Sequence, residues 1–79
     1  MDPRSLLSPR ELDVLRLTSL GLTNSEIATR LSVSVHAVKF HLAAVYRKLG
    51  VGNRTEAAGV YLRAMLPAEQ SHEIQEQRA

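Results

Sequence analysis

The chain contains no cysteine. That removes a disulfide framework, a thiolate nucleophile and any cysteine-ligated zinc site, and it is compatible with an intracellular location. No apolar run approaches the roughly 20 residues needed to span a membrane, and the N-terminus lacks the apolar stretch of a signal peptide. A soluble, cytoplasmic protein with no membrane partner is expected. Catalytic constellations are missing as well. Serine, histidine and aspartate all occur, but with no nucleophile elbow and no paired acids, and 79 residues leave little room for a buried cleft. His36 and His72 have no partner at metal-ligand spacing. Neither an enzyme, nor a metal site, nor a cofactor is expected.

What remains is one small domain, whose core at this size supplies no more than about 3–5 kcal/mol. Help from a partner subunit suits that margin. The formal net charge is +2, small for a nucleic-acid binder until it is divided along the chain. Residues 1–66 hold nine Lys and Arg against five Asp and Glu, whereas residues 67–79 set Arg78 against Glu69, Glu73 and Glu76. The basic excess therefore belongs to residues 1–66, read as the folded domain. Residues 67–79, rich in Gln and Glu, read as a polar, flexible tail or a frayed helical extension.

The organising stretch runs from Thr23 to Gly50. Thr23 is an N-cap, and Glu26 three residues later completes a capping box. Ile27, Ala28 and Leu31 then share one face of a helix barely two turns long, which has to bury that face against another element. Ser32-Val33-Ser34 forms a turn in which Val33 plugs the core and Ser34 caps a longer helix. At about 100° per residue, Val38, Leu42, Val45 and Leu49 make an inward stripe, with His36, Lys39, Phe40, Ala43 and Arg47 roughly opposite. Two bases, a histidine, a small residue and an aromatic facing outward suit a groove of DNA. In a helix-turn-helix the second helix enters the major groove while the first crosses the backbone.

Flanking elements follow from the same signals. Met1 to Leu7 reads as a lead-in, with Pro3 discouraging helix. Ser8 caps the next helix, Pro9 takes its first position and Glu11 completes a capping box. Val14, Leu15 and Thr18 face inward, with Leu12 and Leu17 on the flanks, and Gly21 ends the helix in a left-handed conformation. Gly50 terminates the reading helix, and Val51 folds back onto the core. Asn53 and Glu56 form a further capping box that opens a last helix, ending near Leu66 before Pro67. The expected fold is all-α: a tetrahelical, bundle-like helix-turn-helix domain with its third helix as the recognition helix.

The residues Leu7-Ser8-Pro9-Arg10-Glu11, Val14-Leu15, Gly21, Asn24, Glu26-Ile27-Ala28, Leu31, Ser34, Val38-Lys39, His41, Lys48-Leu49-Gly50-Val51, Arg54 and Glu56-Ala57 also carry a resemblance. In this series, which covers about two thirds of the chain without gaps, the sequence resembles the LuxR/GerE-type helix-turn-helix domain of bacterial transcription regulators. The resemblance implies sequence-specific binding of double-stranded DNA, transcription regulation and a homodimer formed through the last helix. Ala37 departs from the pattern, standing where the family usually has Thr. Phe40 and Ala43 occupy positions that vary and tune base preference.

Val35, His36, Lys39, Phe40 and Ala43 are the candidate base-facing residues. Phe40 invites two readings, contact with a thymine methyl or packing beneath a neighbouring domain. Thr23, Asn24 and Ser25 at a helix start, with Arg47, Lys48 and Arg54, are candidates for the DNA backbone. His41, at the edge of the core stripe, is either a hydrogen-bonded structural residue or a phosphate contact. On the last helix, Ala57, Tyr61 and Ala64 face the core and leave Gly59, Leu62 and Leu66 as an outward seam for a partner helix. Gly59 in a helix interior costs about 1 kcal/mol against Ala, which close approach of a symmetry mate would justify. The seam's other possible cover is the chain's own tail. An alternative function stays open, that of a protein-interaction module using the last helix or the exposed face of the third to bind RNA polymerase or a partner regulator.

Overall fold

Helix boundaries in this chain are set by short polar side chains that take up the N–H groups a helix leaves unpaired at its start. A computed structural model describes residues 2–66. The expected tail and His72 lie outside the described residues. Five helices occur in order: α1 (Pro3–Leu6), α2 (Pro9–Ser19), α3 (Asn24–Leu31), α4 (Val35–Leu49) and α5 (Arg54–Met65). Ser8 and Thr23 each close a reciprocal capping box with the glutamate three residues on, and the Ser34 hydroxyl accepts from the Ala37 N–H at 3.0 Å.

Two starts differ from expectation. The lead-in is not extended but contains α1, because Asp2 caps it and Pro3 sits at its first position, where a missing N–H costs nothing. Pro3 is itself buried and packs the turn onto the domain. At the start of α5, Asn53 accepts from the Glu56 N–H at 2.9 Å, but the glutamate returns its bond to the Gly52 N–H at 2.7 Å, one residue before the cap.

Three helices end alike. After α2, Gly21 at φ 92° lets its own N–H reach the Thr18 carbonyl and the Leu22 N–H reach that of Leu17. Ser32 after α3 (φ 58°) and Gly50 after α4 (φ 68°) repeat the pattern, returning the Val33 N–H to Ala28 and the Val51 N–H to Tyr46. In each case the residue after the left-handed position is apolar and half-buried, so the chain reverses while tucking a side chain back onto the core.

The core has two compartments, each lined by both α2 and α4. One gathers Val14, Leu17, Ile27, Ala28, Val38 and Leu42; the other gathers Leu7, Leu15, Val45, Leu49 and Ala57. Tyr46 packs against both. Leu17, expected on a flank, is completely buried, because α2 is covered on more than one side by α3, α4 and α5 and has no single inward stripe. The inward stripe of α4 is as expected: Val38, Leu42, Val45 and Leu49 are all buried. Among the described residues no helix is long and apolar enough to cross a membrane.

Candidate nucleic-acid interface

Three helix starts meet in one groove. Gly21, Leu22, Thr23, Asn24 and Ser25 bring the N-terminus of α3 to it, Val35 and Lys39 bring the first turns of α4, and Arg54 comes from α5; the space is about 560 Å³. The Arg54 guanidinium donates to Asn24 Oδ1 at 3.1 Å and to the Leu22 carbonyl, holding the start of α5 against the entry to α3. Thr23 Oγ1 accepts from the Glu26 N–H, and Glu26 accepts from the Thr23 N–H at 2.8 Å. That backbone N–H holds the Glu26 carboxyl below its ordinary range. The N–H groups of Asn24 and Ser25 occupy the first two helical positions, where no intrahelical acceptor exists, so the groove is lined by donors and the positive end of a helix dipole.

The outward face of α4 is cationic and partly apolar. His36, Lys39, Phe40, Ala43 and Arg47 are all exposed, Phe40 to 68%. Val35 is half-buried and packs against the first core compartment, so it presents only an edge. His41 is half-buried, with its ring 5.7 Å from that of Phe40 and steeply inclined to it at 73°. No Asp or Glu occurs anywhere in α4, whose charged residues are Lys39, Arg47 and Lys48.

Lys48 has a partner that sequence spacing did not disclose. Its ammonium donates to Glu11 Oε1 at 2.8 Å, and the same oxygen accepts the Ser8 N–H at 2.9 Å. The glutamate side chain is only 11% exposed. The Lys48 ammonium, followed by the Ser8 N–H, holds the Glu11 carboxyl below its ordinary value. The capping box made Glu11 recognisable as a cap, but nothing in the sequence marked it as the anchor of α4. Arg54 is a similar case, since its clamp reaches back 30 residues to Asn24.

On α5, Ala57 is buried and Val60 and Tyr61 pack against the second core compartment, while Leu62 (51% exposed) and Met65 face solvent; Leu66 (48%), expected on the same helical seam, is exposed in extended backbone just past the helix end. Gly59 is half-buried, with the Arg63 guanidinium lying over the place a side chain would take. None of these seam residues lines the groove, and of the other candidates all but Lys48, which is held by Glu11, line the groove or the outward face of α4.

A capped short helix, a left-handed turn and a longer helix with a buried stripe and a cationic outer face define a helix-turn-helix DNA-binding domain. Residues 5–61 match the family of bacterial regulatory proteins known as the luxR family (GerE), and the chain belongs to that family. It is 44% identical over 61 residues to the nitrate/nitrite response regulator protein NarP of Escherichia coli strain K12, covering 77% of this chain and 28% of NarP. To the transcriptional regulatory protein ComA of Bacillus subtilis strain 168 it is 41% identical over 54 residues, 68% of this chain and 25% of ComA. The chain thus spans about a quarter of the length of these relatives. Its fold resembles that of the ComA DNA-binding domain in a crystal structure with the anti-activator RapF. The TM-score is 0.67 at 40% identity, covering 70% of this chain and 95% of that one.

Proposed function

We propose that the protein binds double-stranded DNA sequence-specifically as a homodimer and regulates transcription in the bacterial cytoplasm, with α4 in the major groove. The observation that carries this reading is the groove at which the N-terminus of α3, Lys39 of α4 and Arg54 of α5 converge, beside an outward α4 face that holds Lys39, Arg47 and His36 and no acid. Val35, His36, Lys39, Phe40 and Ala43 face base edges in this arrangement. Thr23, Asn24, Ser25, Arg47 and Arg54 meet the phosphates, and Lys48, with three N–H donors on its ammonium, serves Glu11 and a phosphate together. Residues 1–66 form the binding domain and residues 67–79 a polar tail. The reading is of a binding domain and not of an enzyme.

Dimerisation through Gly59 and Leu62 of α5, with Leu66 just past its end, places two copies of α4 on half-sites about one helical turn apart. A second reading draws on the exposed α5 seam and on the similar ComA domain, which is held by an anti-activator in its crystal structure. In that reading α5 or the outer face of α4 docks another protein, such as RNA polymerase or a partner regulator. Selection of bound duplexes from a random pool near physiological salt tests the first reading, with enrichment of an inverted repeat expected. Lys39→Ala should then lose most of the affinity for the selected duplex; unchanged affinity would refute the groove assignment. Salt separates the two readings, because binding through several phosphates falls steeply with ionic strength and binding through Leu62 and Leu66 does not.

A further inference from the structure

We infer that Phe40 reads the C5-methyl group of a thymine, so that this protein distinguishes thymine from the other pyrimidines largely by an apolar contact. The inference rests on the major-groove placement of α4 proposed above and specifies what one residue recognises there. Phe40 is 68% exposed, directly follows Lys39, and is backed by the half-buried His41 ring at 5.7 Å, which limits the positions its own ring can take. Ala43, exposed one turn further on, adds a second apolar group without obstructing it.

A phenyl ring offers no hydrogen bond to a base edge, and the major groove of unmodified DNA presents one apolar group, the thymine methyl. An apolar protein surface would be the other occupant. Lys39 beside Phe40, Arg47 two turns further along the same exposed face, and the lack of any acid on α4 complement a polyanion instead. Uracil lacks the methyl and 5-methylcytosine carries it at the same place, so the methyl can be removed or supplied without changing the protein.

The test uses the full 79-residue chain, the duplex selected above, and titration by fluorescence anisotropy. Each thymine of the half-site is replaced in turn by deoxyuridine. One replacement should weaken wild-type binding about fourfold, the value of one buried methyl group. Phe40→Ala should bind the parent duplex more weakly and show no further loss on that replacement, and Phe40→Leu should keep part of the discrimination. At the same position, 5-methylcytosine should bind wild-type protein more tightly than cytosine by a similar factor.

An equal uracil penalty in wild type and Phe40→Ala would overturn the inference, as would a half-site with no methyl-sensitive thymine that is still bound specifically. Failure of the underlying reading looks different: the parent duplex would then be held no better than a scrambled one, and both proposals would fall. Circular dichroism of each variant separates lost contact from lost folding.

Discussion

Lys48→Ala should destabilise the domain by acting on a residue 37 positions away. Glu11 Oε1 receives both the Ser8 N–H and the Lys48 ammonium, at 2.9 and 2.8 Å, on a side chain only 11% exposed. A hydrogen bond to a charged group contributes about 1.5–3 kcal/mol when well buried, whereas an exposed ion pair contributes about 0–1. The Lys48 side chain is 38% exposed, which places the pair near the lower end, at about 1 kcal/mol. In a domain of this size that corresponds to a fall in Tm of roughly 4–8 °C. The clean assay is a double-mutant cycle of Glu11→Gln and Lys48→Ala, read by thermal or urea unfolding, with a coupling energy of about 1 kcal/mol at pH 7.

The coupling also has a signed pH dependence. The folded-state pKa of Glu11 lies below its ordinary 4.5, so the stabilisation is complete above that value and is lost as pH falls through the lower, folded-state pKa. The wild type should therefore lose more stability than Glu11→Gln between neutral pH and the acid side of 4.5. Coupling indistinguishable from zero at pH 7, or coupling that survives full protonation of the carboxylate, would refute the claim that this pair fastens α4 to α2.

Other substitutions probe separate parts of the structure. Ser32 is the one non-glycine residue with positive φ among the described residues, so Ser32→Gly should raise stability by about 0.5–1 kcal/mol, the relieved strain being partly offset by a more flexible unfolded chain; a lower melting temperature would contradict this. Thr18 Oγ1 is buried without a hydrogen-bond partner, and Thr18→Val, which keeps the shape, should stabilise by about 1 kcal/mol in urea unfolding; a loss would mean that the hydroxyl is satisfied in solution. Leu62→Glu should leave the helical signal unchanged but shift sedimentation equilibrium toward monomer and weaken binding to an inverted repeat, since Leu62 is half exposed on the α5 seam; an unaltered association constant would remove the seam from the dimer.

Much of this protein was legible from sequence because its helices announce themselves locally. Ser8, Thr23, Ser34 and Asn53 each cap a helix by bonding an N–H three residues on, and Gly21 and Gly50 end helices through backbone bonds that span five residues at most. The α4 stripe of Val38, Leu42, Val45 and Leu49 follows from helical period alone, and it fixes which residues face outward. What the sequence left undetermined concerned groups distant along the chain. The burial of Leu17 depends on α2 being enclosed by three other helices. The reach of Lys48 to Glu11 and of Arg54 to Asn24 depends on how those helices cross, which no short-range spacing encodes. The groove itself is of this kind: Asn24, Lys39 and Arg54 each belong to a different helix, and only packing brings them to one surface. Periodicity and capping are properties of consecutive residues, whereas a site is a property of helices placed against one another by a shared core.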